Sequence, residues 1–208
     1  MSNQRKEVRD CRHPTVLCVT SRTLCPGDFL KQVDRIAAAR PAGLILREKD
    51  LSPADYQTLA RQVMALCGRY DVPCILHTQV QAAQSLGCRA IHLPLPVLRT
   101  LPEKVRRAFS ILGTSCHAAE ESEEAAQLGC TYLIAGHIFA TRCKEGLPPR
   151  GLAFLQAVCH STSLPVWAIG GITPERIPAV QAAGAAGGCM MSSLMTCADP
   201  AVYLSASR

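Results

Sequence analysis

Eight short apolar runs, separated by stretches patterned as helices, constrain this 208-residue chain more than any other feature. They read "TVLCVTS" (15–21), "GLILRE" (43–48), "PCILHT" (73–78), "AIHLP" (90–94), "SILGTS" (110–115), "YLIAG" (132–136), "PVWAIG" (165–170) and "GGCMMS" (187–192). Runs without strict polar alternation belong to strands covered on both faces, as in parallel sheets flanked by helices. Eight is the number of such strands that closes a parallel barrel.

The intervening segments carry helix signals. "SPADYQTLARQVMALCGRY" opens with Ser52 as N-cap and Pro53 at the first helical position, where a missing N–H costs nothing. Tyr56, Leu59, Ala60, Val63, Met64 and Leu66 then follow the three–four spacing of one buried face. "TPERIPAVQAAGA" repeats the opening with Thr173 and Pro174 and closes on Gly184. The segment between "LHT" and "IHLP" is short, and the helix between "IHLP" and "ILGTS" is the least defined. The pattern predicts an α/β fold, a single-domain (β/α)8 TIM barrel over residues 15–208, preceded by a polar and flexible leader at 1–14. An open doubly wound sheet also alternates strands and helices, but no glycine-rich dinucleotide turn follows the first run.

Composition narrows the function. The apolar fraction is 48% and the aromatic fraction 4%, so the core is aliphatic. The twelve cysteines include no CxxC pair and no zinc-like spacing with histidine, which predicts reduced thiols, mostly in the core, and a cytoplasmic chain without a leader for export. No apolar run is long enough to span a bilayer, so no membrane partner is expected. The net charge of +6 is spread without a basic block interleaved with aromatics, which argues against nucleic acid and suits a small anionic ligand.

In a barrel of this kind the active site lies where the strands end. The sequence places Arg47, Glu48 and Lys49 after the second run and His77 and Thr78 after the third. His92 stands in the fourth, while Thr114, Ser115 and His117 follow the fifth, and His137 follows the sixth. Gly170 and Gly171 end the seventh, and Met191, Ser192 and Ser193 end the eighth. Two glycines at a strand end let backbone N–H groups approach an anion, and loops seven and eight are the recurring phosphate site of the fold. The alternative is a glycine pair that serves only a tight turn. His92 reads as core, His13 and His160 as surface, and His117 as a helix-end residue or a ligand contact. Arg150 is expected to pair with an acidic neighbour, Glu48 with Lys49, and "EESEE" to form a solvated helix face.

The segments "LILREKD", "ILGTSCHAAEESEEAAQLG", "YLIAGHIFATRCKEG", "RGLAFL", "VWAIGGITPERIPAVQAAGA" and "MMSSLM" together resemble the thiamine-phosphate synthase and thiazole tautomerase group of barrels. The resemblance runs from about residue 15 to 195. In the synthases it implies that a magnesium ion, held by carboxylates after strands three and four, helps pyrophosphate depart when a pyrimidine and a thiazole phosphate are joined. Here "LHTQVQAA" and "IHLPLPVL" stand at those places, and both carboxylates are missing. Arg47, Lys49, Ser115 and Lys144 match anion-contacting positions of the group, and Thr141 matches one of two threonines before that lysine, the other being Cys143.

"GHIFATRCKEGLPPRG" is similar to the tautomerase pattern, whose histidine corresponds to His137. The resemblance therefore implies an isomerase of thiamine biosynthesis, which aromatises a carboxylated dihydrothiazole phosphate by acid–base proton transfer at His137. Arg47, Lys49, His77, Ser115, Thr141 and Lys144 would contact substrate, and Gly170, Gly171, Met191, Ser192 and Ser193 would bind phosphate. No metal or cofactor is expected on this reading. Magnesium enters only under the alternative of a divergent thiamine-phosphate synthase. A non-catalytic regulator that binds thiazole phosphate is the remaining alternative. The expected partner is a small anionic thiazole phosphate, with a homo-oligomer suggested by analogy with barrels of this size.

Overall fold

The computed structural model describes residues 15–206; the leader expected at 1–14 lies outside the described residues. Eight parallel strands pair in sequence order around a closed barrel: β1 (Val16–Val19), β2 (Gly43–Leu46), β3 (Cys74–His77), β4 (Ala90–Pro94), β5 (Ile111–Cys116), β6 (Tyr132–Gly136), β7 (Val166–Ile169) and β8 (Gly187–Met190). The seam is made by β8 pairing with β1, with Leu17 opposite Cys189. All eight apolar runs became strands: those at 90–94 and 132–136 match end to end, the fifth starts one residue later and runs on to Cys116, and the others are shorter than their runs.

The outer layer consists of α1 (Phe29–Ala38), α2 (Pro53–Gly68), α3 (Val80–Ser85), α4 (Leu95–Thr100), α5 (Glu103–Arg106), α6 (Glu120–Gln127), α7 (Gly151–His160), α8 (Ile177–Ala182), α9 (Ser192–Thr196) and α10 (Pro200–Ser205). Ser52 caps α2 as its sequence predicts, accepting from the Asp55 amide at 3.2 Å. Between β4 and β5 the expected single helix is split into α4 and α5. Pro102 stands between them and lacks the N–H a continuous helix would need. "TPERIP" likewise forms a 3-10 turn, Pro174–Arg176, before α8 begins, because Pro178 restarts the helix; the Thr173 side chain makes no capping bond to it. Among the described residues no helix is long and apolar enough to cross a membrane.

The strands meet a continuous aliphatic core, with Leu44, Leu46, Leu76, Ile91, Leu112 and Leu133 fully buried. One polar tie runs through it. The Tyr56 hydroxyl, on a side chain 1% exposed, donates to the Leu46 carbonyl at 2.7 Å and accepts from the His77 amide at 3.0 Å. It thereby pins α2 to β2 and β3 near their C-terminal ends. Tyr56→Phe removes the acceptor of a backbone amide without changing shape. It is expected to lower unfolding free energy by about 1–3 kcal/mol, read as a reduced midpoint at unchanged m-value in urea titrations.

Candidate active site

A cavity of about 1050 Å³ opens at the C-terminal ends of the strands. Side chains point alternately to the two faces of a strand, so every second residue faces the barrel interior. Val19, Ile134, Ile169 and Cys189 form the apolar floor, and Arg47, Ser115 and Met191 stand above them on β2, β5 and β8 or just beyond. His117, His137, Thr141, Lys144, Gly170, Gly171, Ser192 and Ser193 complete much of the rim. The structure thus gathers ten of the twelve residues proposed from sequence for catalysis, substrate or phosphate, coming from five different strands. Two stay outside the lining. Lys49 is exposed to solvent, and His77 is half-buried below the mouth.

His137 is held by backbone. The Ile138 and Phe139 amides donate to the Ile169 and Gly170 carbonyls at 2.8 and 3.0 Å, and the Arg150 amide donates to the His137 carbonyl at 3.0 Å. Gly170 has φ 97°, and a Cβ placed there would run into His137, 2.8 Å from its Cα. Gly171 has φ 64°, and its Cβ would lie 2.6 Å from the Ala140 carbonyl oxygen. The pair therefore lets the histidine loop pack against β7, a purpose that "GG" alone did not disclose. The His137 imidazole is half-buried, with Nε2 3.4 Å from the Leu147 carbonyl oxygen, too long a contact to lock the ring.

The charge of the cavity is one-sided. Arg47, Lys144, Arg150 and Arg176 line it, and none of the described lining residues is acidic. Arg150 does not take the acidic partner expected from sequence. It donates to the His117 carbonyl and lies over Phe154, 4.6 Å from the ring centre. Arg176 was missed altogether. It donates to the Gly171 carbonyl at 2.5 Å, with its guanidinium 4.4 Å from the centre of the Phe139 ring. A cation five residues beyond a glycine pair was the available signal. Glu48 also departs from expectation: its buried carboxylate accepts from Thr20 Oγ1 at 2.6 Å and from the Arg22 amide at 3.0 Å, rather than meeting Lys49. "EESEE" is solvated only in part. Glu121 caps the His117 amide at 2.5 Å, Glu124 forms a paired contact with Arg99, and Ser122 is buried.

Below the mouth, the His77 and His92 rings stack at 5.8 Å. Burial, reinforced by Arg47 and Lys49, lowers the His77 pKa to about 4. Burial, with His77 beside it, lowers that of His92 to about 3. His92 is core as expected, but not merely apolar filler: its Nδ1 lies 3.0 Å from Tyr132 Oη and its Nε2 2.9 Å from Ser115 Oγ. Burial also pushes the Cys116 thiol up to about 12, whereas Cys143 lines the cavity and is exposed.

The ends of β3 and β4 can be tested against magnesium, which prefers hard oxygen ligands, carboxylates foremost. Neutral His77 and His92, Thr78 and Pro94 occupy those ends, Glu48 is already engaged, and Asp50 pairs with Arg22. No cluster of three or more His, Cys, Asp or Glu side chains placed to hold a metal occurs among the described residues. These residues do not fit the ion.

Comparison with known proteins places the whole barrel in one group. A sequence model of the family described as Thiamine monophosphate synthase (TMP-TENI) matches residues 16–194. The thiamine-phosphate synthase of Halalkalibacterium halodurans is 34% identical over 197 residues, covering 92% of this chain and 91% of its own. The thiamine-phosphate synthase 2 of Streptococcus pneumoniae serotype 4 is 32% identical over 174 residues, 82% of each chain. Among solved structures, thiamine phosphate pyrophosphorylase from Pyrococcus furiosus superposes with a TM-score of 0.79 over 93% of each chain at 24% identity, a likeness of fold.

Two outcomes follow from this geometry. Gly170→Ala forces a side chain into left-handed backbone and against His137; it is expected to destabilise the protein by about 1–3 kcal/mol and to depress turnover, measured by urea unfolding and steady-state kinetics. Lowered histidine pKa values also fix the sign of a pH effect. Between pH 6.5 and about 4 the unfolded chain takes up protons that folded His77 and His92 refuse, so stability present above pH 6.5 is lost as pH falls. The slope per histidine is on the order of 1 kcal/mol per pH unit at most, and unfolding titrations of His92→Gln across this window should show a shallower decline.

Proposed function

Because the chain belongs to the thiamine monophosphate synthase family, whose enzymes serve thiamine biosynthesis, we propose that it binds a thiazole phosphate and acts on it as a metal-independent isomerase. The observation that carries this reading is a cavity lined by four cations and no carboxylate, with His137 at its rim. Such a lining attracts a doubly anionic ligand and leaves a histidine to move protons.

In this reading the amides around Gly170, Gly171, Met191, Ser192 and Ser193 hold the phosphate. Arg47 meets the substrate carboxylate with its guanidinium fork, and Ser115, Thr141 and Lys144 add further contacts. Lys49 and His77, outside the lining, contribute through charge and packing. His137 accepts a proton from one position of the dihydrothiazole ring and returns it at another. The aromatic product is lower in energy, so the protein need only lower the proton-transfer barrier. The half-buried ring and the long contact to Leu147 leave His137 free to reorient between the two positions.

The second reading is thiamine-phosphate synthase itself, the name borne by the curated relatives. Those names favour it over the isomerase. Against it stands the poor fit of the β3 and β4 ends to magnesium, the usual means of stabilising a departing pyrophosphate.

The deciding assay follows the carboxylated dihydrothiazole phosphate to its aromatic tautomer with chelator present. Turnover is expected in the parent, and His137→Ala should lower kcat by about 10²–10⁴-fold with little change in KM. Failure to turn over, together with magnesium-dependent joining of pyrimidine pyrophosphate and thiazole phosphate, would replace the isomerase with the synthase. Binding of thiazole phosphate without either reaction would leave a regulator.

A further inference from the structure

One group of buried polar side chains has no part in the mechanism above. His92 on β4, Gly113 on β5 and Tyr132 on β6 lie side by side in register. A Cβ at position 113 would collide with the Tyr132 ring, so the missing side chain lets the phenol cross β5 and reach His92. The result is a chain from Tyr132 Oη to His92 Nδ1, 3.0 Å, and from His92 Nε2 to Ser115 Oγ, 2.9 Å. Its far end opens into the cavity at Ser115.

The direction of this chain can be deduced. Neutral imidazole carries one N–H and one bare nitrogen. Tyr132 is buried, and its hydroxyl has no hydrogen-bond partner except His92 Nδ1 among the described residues. If Nδ1 bore the proton, the phenol hydrogen would be left without an acceptor, the costlier error in a buried site. The phenol therefore donates to Nδ1, the ring proton sits on Nε2, and Nε2–H donates to Ser115 Oγ. That uses a lone pair of Ser115 and turns its hydrogen toward the cavity.

We infer that His92 is a positioning residue, oriented by Tyr132, that presents Ser115 as a fixed hydrogen-bond donor to the carboxylate of the ligand. This rests on the reading that the cavity takes a carboxylated thiazole phosphate. The carboxylate is assigned rather than the phosphate because Gly170, Ser192 and their neighbours follow β7 and β8, while Ser115 lies on β5 with the His137 strand between. The donor thus distinguishes the carboxylated ligand from one lacking that group.

Two measurements test it. Nitrogen-15 NMR of the wild-type protein, with the His92 signals identified by their loss in His92→Gln, should show a bare Nδ1 and a protonated Nε2. Protonation at Nδ1 overturns the assignment, and this result depends on neither ligand nor turnover. Calorimetry then compares the carboxythiazole phosphate with the thiazole phosphate lacking the carboxylate. Ser115→Ala should weaken the first about ten-fold and leave the second within about two-fold, as expected for one hydrogen bond to a charged group. Tyr132→Phe should weaken the same probe in the same selective way, with the His92 proton redistributed in the NMR spectrum. Equal losses on both probes, or none, would refute the carboxylate role. If neither probe binds the wild-type protein while Nε2 remains protonated, the failure belongs to the proposed substrate and not to the tautomer.

Discussion

The pairing of β8 with β1 is the contact on which the remaining architecture depends. It converts a row of strands into a ring, and it does so through close backbone approach: the Gly188 amide donates to the Thr15 carbonyl at 2.9 Å, and a Cβ at Gly187 would collide with that same carbonyl. Once the ring is closed, the order of strands becomes an order of chemical groups around a single opening. His137 after β6, the glycines after β7 and the serines after β8 become neighbours, and Arg47 reaches in from β2 across the seam. Without closure the two edge strands would be exposed and the rim would have no second half.

Inside the ring, aliphatic packing supplies the drive to fold, but polar groups fix particular arrangements. Tyr56, His92 and Tyr132 are each buried and each hydrogen-bonded, as burial of such groups requires. The buried Glu48 carboxylate belongs to the same class. By binding Thr20 and the Arg22 amide it ties the loop after β1 to the end of β2, and the Thr20 hydroxyl in turn accepts from the Arg47 amide at 3.0 Å. An acid positioned next to Arg47 in sequence thus supports the arginine's backbone without neutralising its guanidinium.

Much of this was legible beforehand. The strands were visible because runs of Val, Ile, Leu and Ala between helical patterns have few other ways to be buried, and the strand-end residues were visible because the fold dictates where strand ends meet. The family was visible in jointly spaced motifs. What the sequence did not reveal was pairing at a distance. Arg150 meets a carbonyl rather than an acid, and Arg176 stacks on Phe139, because the loop following β6 packs against those following β5 and β7. Lys49 is exposed while Arg47 lines the cavity, because β2 ends at Leu46 and the alternation that would put both on one face does not continue beyond it. His92 looked like core because its two partners lie 23 and 40 residues away. The side chains at the ends of β3 and β4 do not fit magnesium, whereas the curated relatives are named as synthases.

The sulfur content of the barrel is distributed with a chemical asymmetry. Burial raises the pKa of Cys18, Cys116, Cys130 and Cys189, so these thiols stay protonated and poor in the thiolate that oxidants and electrophiles attack. Cys143 is exposed and sits on the cavity wall beside Lys144. Cys143 alone is exposed among the described cysteines, so a thiol reagent in solvent meets the sulfur of the cavity wall before it meets those of the core.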